Sequence, residues 1–323
     1  KRIDGSYASI SLIAGHGLLA FRDPYGIRPL VLGKRISNKN KVEWMCASES
    51  LVLENNDYEI VRDIKPGEAI FISLKGELFS QQCSLNSQLF PCAFEYVYLA
   101  RPDSVMNGIS VYEARLRMGD FLAQTIKKVI STGDIDVVMP IPDSSRPAAM
   151  QVARQLGIEY REGFFKNRYV GRTFIMPGQS LRKRSVRQKL NAMSTEFKNK
   201  NVLIVDDSVV RGTTSQQIVQ MARSAGANKV TFTSAAPPIR YPHVYGINMP
   251  SRNELIAYNR NINEIEDNLH IDKMIYQEVD DLTKAITKGS NIKDLDLSCF
   301  TGQYVTGTVT DEYLTWVENT SFS

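Results

Sequence analysis

The chain has 323 residues, 43% of them hydrophobic, and carries a formal net charge of +4. This length and composition allow two compact domains with separate cores, while the charge excess is too small to indicate nucleic-acid binding by itself. The longest apolar runs, at 18–21 and 202–205, are too short to span a membrane, and no basic-then-apolar leader opens the chain. We therefore expect a cytoplasmic protein that binds neither a membrane nor nucleic acid.

Residues 1–82 contain short apolar or alternating runs separated by turn residues. The runs that we interpret as strands are "SYASISLIAG", "GLLAFRD", "PLVLGKR", "VEWMCAS" and "EAIFISLKGELFS". They predict an antiparallel, β-rich segment, and the polar stretch 80–92 that follows is typical of a linker. Residue 1 is Lys, and the first strands have the pattern of a domain interior, so we expect that N-terminal residues are missing.

After the linker, helical patterns alternate with apolar strands. The predicted helices are "YEARLRMGDFLAQTIKKVI", "PAAMQVARQLG" and "TSQQIVQMARSAGA", and the predicted strands are "IDVVMPIP", "NVLIVDD" and "KVTFTSAAPP". Gly157 and Gly226 are natural helix ends. Strand, helix and strand at this spacing predict right-handed crossovers and a parallel sheet flanked by helices.

Two adjacent acids, Asp206 and Asp207, end the predicted strand "NVLIVDD". Ligands of open parallel sheets bind beyond the carboxyl ends of the strands, where loops lead into helix N-termini. The loop "RGTTS" can hold a phosphate with backbone N–H groups and hydroxyls, and the two acids can accept hydrogen bonds from two hydroxyls. Gly212 permits a close backbone approach. The pattern therefore indicates a ribose-phosphate site; the alternative is a solvated turn whose hydroxyls merely cap the helix.

Two further segments supply what a polyphosphate site needs. The stretch "VVMPIPDSSRPAA" is a strand that breaks into a loop with Ser144 and Ser145 before a helix, although a simple helix cap would have the same pattern. Residues 166–190 carry eight basic residues and no acid: Lys166, Arg168, Arg172, Arg182, Lys183, Arg184, Arg187 and Lys189. Glycines and a proline interrupt this segment, which favours a lid over a polyphosphate; a nucleic-acid surface and a plain solvated surface are the alternatives.

The string "VLIVDDSVVRGTT" resembles the phosphoribosyl pyrophosphate (PRPP) motif of type I phosphoribosyltransferases. The resemblance implies that Asp206 and Asp207 hold the ribose hydroxyls and act in catalysis with Lys166 and Arg172. It implies an Mg²⁺ site at Ser144, Asp206 and Asp207. The substrate-binding residues that it implies are Arg211, Gly212, Thr213, Thr214 and Ser215 for the 5′-phosphate, Pro142, Ser144 and Ser145 for the pyrophosphate, and Arg168 from the lid.

Before the linker, "AFRDPYGIRPLVLG" and "CASES" resemble the latter part of class II glutamine amidotransferase domains, which have the N-terminal-nucleophile fold. We expect Arg22 and Asp23 to form a salt-bridged turn rather than to act in catalysis. The family's nucleophile is an N-terminal cysteine, and none of Cys46, Cys83, Cys92 or Cys299 can take that place. We therefore expect the first half of this glutaminase domain to be missing.

Both signatures together, with "FEYVYLARPDS", "GRTFIMPGQSLR" and "PPIRYPHVYGINMPS", resemble the glutamine PRPP amidotransferase family. The implied architecture is a partial α+β glutaminase domain at 1–82, followed at 83–323 by an α/β type I phosphoribosyltransferase domain with a C-terminal helical extension. The implied reaction transfers glutamine-derived ammonia onto PRPP at the start of purine synthesis, with inhibition by purine nucleotides and a homo-oligomeric assembly. As written, we expect the chain to be ammonia-dependent or inactive.

Some members of this family bind an iron-sulphur cluster through four cysteines. Here Cys92 and Cys299 match two of those places, but His243 and Val244 precede "YGI" and no second cysteine lies close upstream of Cys299. We expect no cluster, packed thiols and structural roles for the histidines His16, His243 and His270. Other interpretations are a non-catalytic sensor of PRPP or nucleotides, which would need a DNA-binding element, and a PRPP synthetase, which would lack the lid string.

Overall fold

Antiparallel strands form the first part of the chain, as the alternation of apolar and turn residues predicts. The computed structural model describes residues 3–166, 190–249 and 251–320. The strands of this part are β1 (Ala8–Ile13), β2 (Gly17–Arg22), β3 (Val31–Ile36), β4 (Val42–Ala47), β5 (Glu59–Asp63), β6 (Glu68–Ser73) and β7 (Leu78–Gln82), with one short helix α1 (Ser50–Glu54). They form a four-stranded sheet in the order β1-β2-β6-β7 and a three-stranded sheet in the order β4-β3-β5. Leu30, Leu32, Ile64 and Ile70 join the two sheets in one core.

The connection to the second part contains little regular structure. A π-helical turn spans Glu95–Leu99, and a small hairpin pairs β8 (Val105–Met106) with β9 (Ile109–Ser110). The long helix α2 (Val111–Val129) then begins where the apolar residues take helical spacing.

A five-stranded parallel sheet forms the second part, in the order β11-β10-β14-β15-β16. The remaining strands are β10 (Val137–Pro140), β11 (Glu159–Tyr160), β12 (Phe164–Lys166), β13 (Leu190–Ala192), β14 (Asn201–Asp206), β15 (Lys229–Ser234) and β16 (Lys273–Tyr276). The remaining helices are α3 (Arg146–Leu156), α4 (Ser194–Phe197), α5 (Thr213–Ser224), α6 (Ile262–Leu269), α7 (Val279–Thr287), α8 (Ser298–Thr301) and α9 (Asp311–Thr320). Helices α5 and α6 pack on one sheet face. Because Val138, Leu203 and Val205 point to the other face and are also buried, both faces are covered.

Each run that the sequence singles out contains an element of the predicted type, except that the run 68–80, predicted as one strand, is divided into β6 and β7. Helix α3 ends at Gly157, which is in the left-handed region with φ +68°. Helix α5 has Ala225 as its C-cap, and Gly226 follows it with φ +99°. Strands β5, β8, β9, β11, β12, β13 and β16 and helices α1, α4, α6 and α7 were not predicted. No helix of the described ranges is both long and apolar enough to cross a membrane.

Two compact units divide the chain. One takes Lys1–Tyr112, Pro242–Met249 and Thr287–Ser323, and the other takes Glu113–Tyr241 and Pro250–Ile286, each as far as the structure describes it. These units are discontinuous in the sequence, whereas the predicted domains 1–82 and 83–323 are continuous. The boundary after residue 82 stays a prediction.

Candidate active site

The carboxyl ends of β10 and β14 bring two polar segments together. The two strands pair in parallel, with Pro140 beside Val205, so the residues that follow them emerge at one edge of the sheet. There the Ser144 hydroxyl donates a hydrogen bond to Asp207 Oδ2. The two segments that the sequence singled out separately thus meet in one place.

The two adjacent acids are buried and joined by a hydrogen bond. Asp206 and Asp207 are 9% and 7% exposed, and Asp206 Oδ1 accepts the backbone N–H of Asp207 at 2.9 Å. Burial and the neighbouring charge of Asp207 raise the pKa of Asp206 well above its ordinary value. Burial also raises the pKa of Asp207. Hydrogen bonds from Ser144 and Ser208 and the charge of Arg115 act in the opposite direction and lower it. Hydroxyl donors or a cation beside this pair would favour its ionised form.

Gly212 turns the chain from the acids into helix α5. Its φ is +77°, and a Cβ built on it would collide with the side chain of Ile256. Among the described residues no side chain caps the helix at this end, so the first-turn N–H groups can bind an anion. Thr214 is exposed there, while Ser215 is buried. Arg211, just before Gly212, is exposed and pairs with Glu254 at 3.0 Å.

The loop after β10 has an exposed acid, Asp143, and a buried hydroxyl, that of Ser145, which forms a hydrogen bond within the loop. Pro142 is half-buried, and the Ser145 hydroxyl is buried and donates to the Ile141 carbonyl at 2.5 Å. Asp143 is exposed and pairs with Lys166 at 2.9 Å. Lys166 therefore lies next to the predicted pyrophosphate loop, while Arg168 and Arg172, with the rest of the predicted lid at 167–189, fall outside the described residues.

Sequence reasoning missed Arg115, which is 4% exposed in helix α2. The charge of Arg115 lowers the pKa of Asp207. The available signal was its position: Val111, Ala114, Met118 and Leu122 form the buried stripe of α2, and Arg115 stands within that stripe. An arginine at a core position requires acidic or polar partners.

The "FRDPYG" turn in the first unit is organised by backbone contacts. Arg22, only 2% exposed, donates to the carbonyls of Gly26, Arg28 and Ile64 at 2.6 to 2.8 Å. The Asp23 carboxylate accepts backbone N–H groups, including that of Tyr25 at 2.9 Å. In the described chain no ion pair joins the two side chains, so the prediction of a salt-bridged turn was wrong in its bonding. The turn binds strand ends through carbonyls and amides instead.

One group of three potential metal ligands occurs among the described residues: Cys92, His243 and Asp296, all buried. It lies in the first unit and shares no residue with the predicted Mg²⁺ ligands Ser144, Asp206 and Asp207.

Comparisons with known proteins show which proteins the chain resembles. A model of the "phosphoribosyl transferase domain" family matches residues 111–247. The chain is 58% identical over 314 residues to an amidophosphoribosyltransferase of Pasteurella multocida, and 54% identical over 319 residues to that of Escherichia coli; 97% and 98% of this chain are covered. A solved glutamine PRPP amidotransferase from B. subtilis, complexed with ADP and GMP, is 38% identical over 95% of this chain, with a TM-score of 0.82.

The parallel sheet, the acid pair and the loop into α5 define a type I phosphoribosyltransferase domain, preceded by strands of a glutaminase domain. The high identity over nearly the whole chain narrows the comparison further: along almost all of its length, the chain is similar to amidophosphoribosyltransferases. It spans 62% of the Pasteurella relative, 63% of the Escherichia relative and 65% of the solved B. subtilis chain.

Proposed function

We propose that this chain carries the PRPP site of an amidophosphoribosyltransferase, the enzyme that begins purine synthesis. Ammonia attacks the anomeric carbon of PRPP, the bond from that carbon to pyrophosphate breaks, and pyrophosphate leaves with the electron pair. The nitrogen loses one proton to solvent and the product is 5-phosphoribosylamine. Because ammonia is already a nucleophile, the reaction needs no strong general base.

Each part of the site has a task in this reaction. Asp206 and Asp207 accept the ribose hydroxyls and support the positive charge that develops on the ring. The uncapped first turn of α5, with Arg211 to Ser215, binds the 5′-phosphate. The loop with Pro142, Ser144 and Ser145 binds pyrophosphate, and Lys166 adds positive charge beside it. Arg168 and Arg172 are proposed to act from the lid.

We further propose that Mg²⁺ binds with the substrate. The donors at Ser144, Asp206 and Asp207 are oxygens, which this hard cation prefers, and the raised pKa values of the two acids indicate a place where a positive charge is favourable. When bound, the ion neutralises charge on the leaving pyrophosphate. We propose that no iron-sulphur cluster takes part.

The observation that carries the proposal is the hydrogen bond between Ser144 and Asp207, because it joins the loop proposed for pyrophosphate to the acids proposed for ribose. The partners that we propose are ammonia from glutamine, inhibitory purine nucleotides and further copies of the chain. The B. subtilis structure with ADP and GMP supports nucleotide binding. We also propose a cytoplasmic location and no binding to nucleic acid.

The test is ammonium-dependent pyrophosphate release from PRPP and Mg²⁺. The double variant Asp206→Asn/Asp207→Asn keeps the side-chain shapes and should abolish turnover while its circular dichroism stays that of the parent. The control is Asp267→Asn, an exposed acid of the same unit, which should retain full activity. Full turnover by the double variant would refute the site assignment.

A non-catalytic sensor remains the second interpretation. The relatives reported above are all named as transferases, which does not favour it. A sensor would bind PRPP in titration calorimetry but release no pyrophosphate with ammonium, so the same preparation distinguishes the two.

A further inference from the structure

Three buried side chains from distant segments meet in the first unit. Cys92 Sγ lies 3.3 Å from His243 Nε2, and the same nitrogen lies 3.1 Å from Asp296 Oδ2. The side chains of His243 and Asp296 are 0% exposed, and so is Cys92. A buried group of a thiol, an imidazole and a carboxylate is either a metal site or a hydrogen-bonded network. The hydrogen bonds of the imidazole distinguish these two.

The distances between the three atoms do not decide the question. Thiolate, imidazole and carboxylate are all zinc ligands, and a tetrahedral ion with bonds of about 2.0 to 2.3 Å would separate its ligand atoms by about 3.3 to 3.6 Å. The observed separations are only slightly shorter, so they fit both a metal site and a hydrogen-bonded network.

The contacts of the other ring nitrogen distinguish the two. His243 Nδ1 accepts the backbone N–H of Tyr245 at 3.3 Å. A ring nitrogen that accepts carries no proton, so the neutral ring has its proton on Nε2, between Cys92 and Asp296. Metal-bound imidazoles have the opposite arrangement, in which the nitrogen away from the metal is the donor.

A four-thiolate cluster does not fit these residues either. Cys299 is 1% exposed, and its pKa is raised by burial and then by the proximity of Cys92 and Asp296, so it lies near this group. The two remaining cysteines, Cys46 and Cys83, are half-buried and exposed free thiols on other segments. The described group therefore offers two thiols where a cluster requires four.

We propose that Cys92, His243 and Asp296 form a metal-free lock, in which the Nε2 proton of His243 is donated to the Asp296 carboxylate and the Cys92 thiol packs against the same N–H. Both carboxylate oxygens are then satisfied, since Asp296 Oδ1 accepts the backbone N–H of Ser298 at 3.2 Å. A buried carboxylate needs such complete pairing.

Backbone contacts place the lock at a junction. Ala93 N–H donates to the Asp296 carbonyl, and Asp296 N–H donates to the Pro91 carbonyl, both at 3.0 Å. The segment that carries His243 is held a second time, because Tyr304 donates its hydroxyl to the Pro242 carbonyl at 2.7 Å. The imidazole N–H of His243 thus links segments that lie 151 residues before it, at Cys92, and 53 residues after it, at Asp296. In other proteins a bound metal ion cross-links distant segments in this way.

Nitrogen-15 NMR of the imidazoles tests the proton position directly. The chain has three histidines, so a His243→Asn variant assigns the signals. We expect the shifts of a neutral ring protonated at Nε2 and elemental analysis with no stoichiometric zinc or iron. A proton on Nδ1, or about one metal ion per chain that is lost in Cys92→Ala, would overturn the proposal.

Thermal unfolding separates the two partners of the ring. Asp296→Asn removes the buried charge that accepts the proton and should lower Tm by at least about 6 °C, whereas Cys92→Ala should lower it by no more than about 3 °C. A chelator should leave the parent unchanged. Equal large losses in both variants, with a chelator-sensitive parent, would indicate a metal site; if Asp296→Asn does not fold, the NMR and metal measurements on the parent decide. None of these readouts depends on the function proposed above.

Discussion

Ser144 and Asp207 are joined by a hydrogen bond although 63 residues separate them in the chain. The bond exists because β10 and β14 are parallel neighbours that end at the same sheet edge. It also lowers the pKa of Asp207 against the effect of burial. The hydroxyl therefore helps to keep this acid ready to bind a hydroxyl donor or a cation.

Removing that hydroxyl should weaken substrate binding. Ser144→Ala leaves Asp207 with one fewer donor, and we expect KM for PRPP with Mg²⁺ to rise about tenfold, the value of one hydrogen bond to a charged group. Ser144→Thr retains the hydroxyl and should stay within about threefold of the parent. Steady-state kinetics with ammonium measure both variants, and an Ala variant with unchanged KM would contradict the role.

Gly212→Ala should destabilise the turn for two separable reasons. The left-handed backbone costs an L-residue about 1 kcal/mol, and the new Cβ would collide with Ile256. Gly157→Ala is the matched control, because Gly157 has φ +68° but open space around it. We expect Gly212→Ala to lose more stability than Gly157→Ala in urea unfolding.

A second substitution tests the collision itself. Ile256→Val removes the terminal methyl that the new Cβ would meet, so Gly212→Ala/Ile256→Val should lose less than the sum of the two single variants. Simple additivity would show that the neighbouring loop moves freely and that space is not limiting at this turn.

Asp143 should weaken anion binding in the free protein. It pairs with Lys166 at 2.9 Å and Arg146 at 2.7 Å, all three side chains being about half exposed. Asp143→Asn releases Lys166, while Arg146 keeps its pair with Glu162 at 3.0 Å. The change removes a negative charge and should strengthen the binding of inorganic pyrophosphate about threefold to tenfold at low salt, with little change in stability. Glu159→Gln, at the exposed pair with Arg161, is the control and should not change pyrophosphate affinity. Weaker binding in Asp143→Asn, measured by calorimetry, would show that the carboxylate supports the ligand through an ion instead.

The parts of the site that sequence could predict are those encoded locally. Val202–Val205 is an apolar run that ends in two acids and a glycine turn, and this order alone indicates a buried strand with a site at its end. Contacts between distant segments are different in kind. The convergence of Cys92, His243 and Asp296 depends on three loops whose paths no short pattern records. The sequence predicts a packed thiol at Cys92 and a structural role for His243, and no pattern in it singles out Asp296.

Charged residues in the core were the second source of error. The prediction pairs Arg22 with Asp23 because opposite charges are adjacent in the sequence. In the structure Arg22 donates to buried carbonyls and Asp23 accepts backbone N–H groups instead. Arg115 was passed over because a charged residue in a helix is usually at its surface. In both cases burial decided the bonding, and burial is a property of the whole fold.

Glu68 should make the first unit lose stability in acid. Burial alone would raise the pKa of Glu68, but hydrogen bonds from Arg62, at 2.6 and 2.7 Å, and from Ser80 and the Lys65 N–H lower it to about 2 from an ordinary 4.5. Because the folded pKa is the lower one, the stabilisation is complete above pH 4.5 and is lost as the pH falls towards 2.

The variant Glu68→Gln should flatten this dependence and reduce stability near neutral pH by about 2 kcal/mol, since a bidentate charged pair is lost. Glu43→Gln is the control, because Glu43 also pairs with an arginine, Arg35 at 2.7 Å, but both side chains are 41% exposed and such pairs contribute little. Urea unfolding at pH values from 3 to 7 measures all three proteins. Parallel losses of stability in the parent and in Glu68→Gln below pH 4.5 would show that other carboxylates control the acid transition.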